Sequence, residues 1–116
     1  MTGTYIYVLD MMYSGINKFS DLLYTTQPNE IERTLKVETK TFSPNDKHAM
    51  RLFYRVRQVP KNAFGFEPNS TDWYAPNGQK LTHSPLNTYD YLKEMVTFTH
   101  NNIAYFWDGM QWNEKL

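Results

Sequence analysis

The first quarter of the chain changes its hydrophobic pattern at Ser14. Before it, Thr4–Met12 has β-branched and aromatic residues on both faces, which is typical of a strand covered on both sides. We predict a central or interface strand there. After it, four apolar residues recur three and four positions apart: Ile16, Phe19, Leu22 and Leu23. This spacing predicts a short amphipathic helix, capped by Ser14 and ending before Pro28.

The next segment alternates as a hairpin with one buried face would. Leu35–Thr41 and Met50–Arg57 each have a period of two, and Ser43–Asp46 between them has turn-forming residues. The side chains predicted to point inward on the second strand are Met50, Leu52, Tyr54 and Val56. Those predicted to share the outer face of the hairpin are Lys36, Lys40, Arg51, Phe53, Arg55 and Arg57.

Residues 60–87 are rich in Pro, Asn, Gly and Ser, which predicts a segment composed mostly of loops. A small hairpin is expected around Asp72–Leu81, where Asn77-Gly78 fits a type I′ turn. Thr88 is expected to cap a short helix that runs through Val96.

The chain closes with a pattern that predicts a meander of three strands. The expected strands are Val96–Thr99, Ile103–Trp107 and Met110–Glu114, and Asp108-Gly109 is the expected two-residue turn of the last hairpin. That loop length pairs Trp107 with Met110 and Tyr105 with Trp112. It places Ile103, Tyr105, Trp107, Met110 and Trp112 on the core face.

Phe106 then points to the opposite face, where it is the aromatic side chain freest to touch a neighbour. A Gly109→Val substitution is therefore expected to impair folding, and Phe106→Ser mainly to impair assembly.

Composition narrows the fold class. The chain has 116 residues, 16% of them aromatic, and no cysteine. The length suits a single domain over residues 1–116, and the aromatic residues favour strands. We predict an α+β protein that is predominantly antiparallel β, a small sandwich or barrel-like sheet with one or two short helices and a loop-rich segment at about 60–87.

Charge is neutral overall but unevenly distributed. Residues 31–62 contain eight Lys and Arg against three Asp and Glu, a net charge of +5, so the remainder carries −5. Such a division favours contact with an anionic partner or with another copy of the chain. The candidate interaction surface consists of Lys36, Lys40, Arg51, Phe53, Arg55, Arg57 and Phe106.

Catalytic signatures are absent from the sequence. His48, His83 and His100 are far apart, and no metalloprotease, nucleophile-elbow or phosphate-loop motif is present. We expect a protein that is not an enzyme and that has no catalytic residues, metal site or cofactor. The N-terminus lacks the features of a signal peptide, so secretion by that route and a membrane partner are not expected.

The segment Tyr105–Trp112 contains a Trp-x-Gly-x-x-Trp spacing, which resembles closing hairpins in small structural proteins of tailed bacteriophages. The resemblance covers about ten of the 116 residues. It implies a β-rich component of the head-to-tail connection, tail or fibres, located in the virion and assembled in rings or trimers. The implied partners are copies of itself or other virion proteins.

Two functional hypotheses follow. The first is a non-enzymatic structural or assembly protein, a virion component that acts through protein–protein contacts. The alternative is a small nucleic-acid-binding or inhibitor-type module that uses the basic hairpin face, with Phe53 stacking on bases. Outside the phage setting, a cytoplasmic location is expected.

Overall fold

The computed structural model describes residues 5–13, 16–60 and 70–116, with side chains described over 5–13, 23–60 and 71–116. Ser14, the predicted helix cap, lies outside the described residues. In chain order the elements are β1 (Tyr5–Tyr13), β2 (Ile16–Thr25), α1 (Pro28–Thr39), a 3₁₀ turn (Ala49–Arg51), β3 (Leu52–Pro60), β4 (Ser70–Tyr74), α2 (Thr88–Leu92), β5 (Thr97–His100), β6 (Ile103–Trp107) and β7 (Trp112–Glu114). The protein is α+β and mostly antiparallel β, as predicted.

The strands form two antiparallel sheets. A four-stranded sheet has the order β2-β1-β3-β4, and a three-stranded sheet has the order β5-β6-β7. β1 pairs with β3 along its whole length, from Tyr5 opposite Pro60 to Tyr13 opposite Leu52. The prediction of a central first strand is confirmed.

The helix predicted after Ser14 is wrong, because Ile16–Thr25 is strand β2. It returns antiparallel to β1, with Leu9 opposite Leu23 and Asp10 opposite Leu22. Further along, the register shifts twice, and Met12 lies opposite Phe19. Extra residues in β2 interrupt its period of two, so its apolar residues recur at intervals that imitate a helix.

The first strand of the predicted basic hairpin is also wrong, because residues 28–39 form helix α1. Pro28 occupies the first turn and Glu30 lies near the positive end of the helix dipole. The buried residues Ile31, Leu35 and Thr39 recur every four positions. Leu35 and Thr39 are four positions apart, which fits a strand with a period of two as well as a helix. Val37 would share their face in a strand, but it is 61% exposed, as the helix requires.

Strand β3 is present as predicted, but it is covered on both faces. On one face, Tyr54 and Val56 pack with Ile31 and Leu35 of α1. On the other, Phe53 is 1% exposed and packs beneath the three-stranded sheet. The prediction that Phe53 lies on an outer face is therefore wrong.

The closing hairpin has a longer loop than predicted. Trp107 lies opposite Trp112 and Tyr105 opposite Glu114, two residues away from the expected register. A shift of two leaves each side chain on its face, so Tyr105, Trp107 and Trp112 still share the core, at 4% exposure or less. Met110 belongs to the loop and is 66% exposed, so its predicted place on the core face is wrong.

The turn chemistry explains that register. Only Gly109 of the Asp108-Gly109 pair has a positive φ, of 99°. The side chain of Asp108 accepts hydrogen bonds from the backbone N–H groups of Met110 and Gln111, at 2.7 and 2.8 Å, and so stabilises a four-residue loop. The tight two-residue turn is instead the one between β5 and β6, where Asn101 and Asn102 have φ values of 51° and 66°.

Two further predictions are confirmed in outline and corrected in detail. The small hairpin around residues 72–81 exists, with Gly78 donating to the Ala75 carbonyl, but Asn77 has no positive φ and the turn is not type I′. The helix near residue 88 is α2, but its N-cap is Asn87. α2 ends at Leu92, earlier than predicted, and Glu94 follows in the left-handed region with a φ of 54°.

Candidate functional site

The predicted interaction surface does not form one face. Lys36 lies on α1, Lys40 follows the helix, and Arg51 lies in the 3₁₀ turn. Arg55 and Arg57 project from the face of β3 opposite to the one that α1 covers. The exposed cations Lys40 and Arg51 therefore lie on different elements from the two strand arginines, and the hypothesis of a basic hairpin loses its geometric basis.

Arg55 and Arg57 contact a buried carboxylate that the sequence analysis missed. Asp10 in the middle of β1 is fully buried. Its Oδ2 lies 2.7 Å from Nη2 of Arg55 and 2.7 Å from Nε of Arg57. Nε of Arg57 forms no hydrogen bond among the described residues, so its contact with Asp10 is an ion pair without an aligned N–H. Cζ of Arg55 also lies over the ring of Trp73 on β4, 5.8 Å from the ring centroid.

The contacts of Asp10 with Arg55 and Arg57 indicate a role in stabilising the sheet. A carboxylate can be held at the centre of a sheet only when its charge is compensated, and here two guanidinium groups do so. Both arginine side chains are mostly buried, at 17% and 23% exposure. A signal was available in the sequence, because Asp10 is the one charged residue in the apolar stretch Tyr5–Tyr13.

Phe106 lies on the outer face of the three-stranded sheet, as predicted from the pleat. It pairs with Thr97 on β5 and Asn113 on β7 and is half-buried. A single aromatic ring among small polar neighbours offers little apolar area to a partner.

A larger apolar surface surrounds α2, and we call it the α2 surface. It consists of Leu86 (48% exposed), Tyr89 (65%), Leu92 (69%), Met95 (38%) and Met110 (66%). The first four residues recur every third position, so Tyr89 and Leu92 are neighbours on one side of the helix.

Local contacts hold the segments that carry these five side chains close to α2. Asn87 caps α2 by accepting hydrogen bonds from the N–H groups of Tyr89 and Asp90. Met95 donates its N–H to the carbonyl of Asp90 at 2.9 Å, which folds the chain back after the helix. The loop that carries Met110 packs on the same helix, because a Cβ on Gly109 would lie 2.9 Å from the ring of Tyr91.

Tyr91 fixes which side of α2 faces outward. It packs against the core of the three-stranded sheet, whereas Tyr89 and Leu92 on either side of it are exposed. Polar groups lie beside the exposed residues of α2: Nζ of Lys93 lies 5.9 Å from the Tyr89 ring, and Asp90 lies 3.5 Å from Nδ1 of His83. An apolar centre with a polar rim is the usual anatomy of a protein interface.

The described part of the chain contains no group of three His, Cys, Asp or Glu residues placed to hold a metal ion. His48 and His100 contact the aromatic rings of Tyr13 and Phe42, respectively. Among the described residues, no helix has the length and apolar character needed to span a bilayer.

Comparison with known proteins identifies no relative: no protein-family model matches the chain, and neither curated proteins nor solved structures give a significant match.

Proposed function

We propose that this chain is a non-enzymatic assembly protein that binds other protein subunits, including copies of itself, through the α2 surface. The observation that carries this proposal is the exposure of five large apolar side chains, each at 38% or more, on α2, on the segments next to it and on the loop that packs against it. Contiguous apolar surface is unfavourable in water, and its commonest use is to be covered by another protein.

The chemistry of the side chains supports a protein partner. Tyr and Met are enriched at protein interfaces, where they bury large areas and adapt to the facing surface. Burial of apolar surface stabilises a complex by about 25 cal/mol per Å² before the entropic cost of association. The two sheets behind α2 provide a firm base, since Tyr91 joins the helix directly to the core.

Sedimentation velocity over a range of protein concentrations tests this function. The variant Tyr89→Ser/Leu92→Ser should sediment as a smaller species than the wild type. Val37→Ser is the matched control, because Val37 is 61% exposed on the other helix, α1, and its substitution should leave the association unchanged. A wild type that remains monomeric at all concentrations, or an equal loss in both variants, would remove self-association through this surface.

The virion setting is a further part of the proposal, and it rests on the resemblance of Tyr105–Trp112 to closing hairpins of tailed-phage structural proteins. In that setting the α2 surface would join neighbouring subunits of a head-to-tail connection, tail or fibre. Mass spectrometry of purified particles from the source phage tests it. Detection of the chain at a fixed copy number is expected, and its absence from complete particles would contradict it.

A further inference from the structure

The exposed methionines of the described residues both belong to the α2 surface. Met110 is 66% exposed and Met95 is 38% exposed. The other methionines of the described residues are protected: Met12 is 1% exposed, and Met11 and Met50 are half-buried against the two core clusters. A reagent dissolved in water therefore meets methionine side chains of this part of the chain mainly at the α2 surface.

Local hydrogen bonds hold the backbone at both exposed methionines. The N–H of Met110 donates to Oδ1 of Asp108 at 2.7 Å, and the N–H of Met95 donates to the carbonyl of Asp90 at 2.9 Å. Val96 is fully buried directly after Met95, so the chain turns inward there and leaves Met95 at the surface. The exposure of both side chains is thus part of the folded structure.

The sulfur chemistry of the chain is that of methionine alone, because the sequence has no cysteine. A thioether sulfur attacks one oxygen of hydrogen peroxide, so that an S–O bond forms and the O–O bond breaks. The departing hydroxide takes the proton from the oxygen now bound to sulfur and leaves as water. Sulfur loses two electrons and the peroxide gains them. The product, methionine sulfoxide, is polar, and dedicated reductases return it to methionine.

We propose that Met110 and Met95 form a reversible, peroxide-sensitive modification site that controls binding through the α2 surface. This inference rests on the proposed function, because it assigns a means of regulation to the same surface. A sulfoxide covered by an apolar partner loses its hydrogen bonds to water, so oxidation weakens the complex. Oxidation at these two positions leaves the core intact, whereas oxidation of Met12 would require the core to open.

Peptide mapping by mass spectrometry, during treatment of dilute protein with excess hydrogen peroxide, tests the site itself. We expect Met110 and Met95 to be oxidised at least about tenfold faster than Met12, because a buried side chain reacts only when the structure opens. Equal rates at the three residues would overturn the assignment of the site, whatever the oligomeric state.

Sedimentation velocity before and after treatment tests the control of binding. Oxidation should weaken self-association of the wild type at least about tenfold and leave its melting temperature nearly unchanged. Treatment with methionine sulfoxide reductases should restore the association. The variant Met95→Leu/Met110→Leu keeps the apolar volume, so it should associate like the wild type and remain associated after peroxide.

Met50→Leu is the matched control, because it retains both exposed methionines and should dissociate after peroxide as the wild type does. A wild type that associates but is unaffected by peroxide would overturn this inference alone. Equal dissociation of the double leucine variant and the wild type after peroxide would do the same. A wild type that is monomeric before treatment would overturn self-association through the α2 surface and this regulation together.

Discussion

Asp10 and Arg55 are direct cross-strand neighbours at the centre of the four-stranded sheet, and Oδ2 of the carboxylate lies 2.7 Å from Nη2 of the guanidinium. Removal of the carboxylate would leave Arg55 and Arg57 without their buried counter-charge. We expect Asp10→Asn to lower the free energy of unfolding by about 3–5 kcal/mol, measured by urea denaturation. Asp72→Asn is the control, because Asp72 forms an exposed pair with Lys80, and its loss should cost about 1 kcal/mol or less. Equal costs would contradict a structural role for Asp10.

Gly109 is required by both backbone and packing. Its φ of 99° is unfavourable for any residue with a Cβ, and that Cβ would lie 2.9 Å from Cε2 of Tyr91. We expect Gly109→Ala to destabilise the protein by about 1–2 kcal/mol from the backbone alone, with a further cost from the clash.

Thermal melts of Gly109→Ala in the wild type and in a Tyr91→Leu background separate the two contributions. The smaller side chain should reduce the cost of the alanine without abolishing it. An alanine that costs nothing in either background would show that the loop adopts another conformation.

The outer edge of β5 is closed by side chains instead of a strand. Gln79 Oε1 accepts a hydrogen bond from the Thr99 N–H at 3.0 Å, and Asn77 donates to the Thr99 carbonyl at 3.0 Å. We expect Gln79→Met to speed amide hydrogen exchange at Thr99 severalfold, because the substitution removes the oxygen that accepts this hydrogen bond.

The neighbouring Phe98 amide serves as the internal control. It faces β6, because backbone groups alternate in direction along a strand, and its exchange should change little. Faster exchange at both amides would mean that the substitution opens the whole strand and that Gln79 has no local role.

Asp108 makes the closing hairpin sensitive to acid. Partial burial alone would raise the pKa of its carboxyl, but hydrogen bonds from Gln111, Met110 and Asn113 outweigh burial and hold the pKa below its ordinary value of 3.8. A depressed pKa in the folded state stabilises the protein above the unfolded pKa, and this stabilisation is lost as pH falls from about 4 through the folded value.

Urea denaturation from pH 6 to pH 2 tests this prediction with Asp108→Asn, which keeps an oxygen to accept the backbone hydrogen bonds. The variant should lose less stability than the wild type as the pH falls below about 4. Parallel pH profiles for the two proteins would contradict it.

The sequence predicted strands well where β-branched and aromatic residues were concentrated, either on both faces as in β1 or in alternation as in β3. β1, β3 and the three C-terminal strands were found, and the faces of Tyr105, Trp107 and Trp112 were correct despite a register error of two. The errors have local causes. Extra residues in β2 produced helical spacing, and Leu35 and Thr39 satisfied both periods at once.

The candidate sites were harder to predict because they depend on tertiary contacts. The basic face assumed that residues 35–41 pair with β3, and this assumption was wrong because residues 35–39 belong to helix α1. The α2 surface could be suspected from apolar residues at every third position, but its exposure depends on Tyr91 turning inward.

Methyl NMR of Leu86, Leu92, Met95 and Met110 as a function of protein concentration tests the α2 surface most directly. These four residues are 38–69% exposed, and Val37 on α1, at 61%, is the internal reference. We predict that the four methyl signals shift or broaden together as the concentration rises, whereas the signals of Val37 stay constant. Changes at Val37 with constant signals around α2, or no change anywhere while the protein associates, would contradict it.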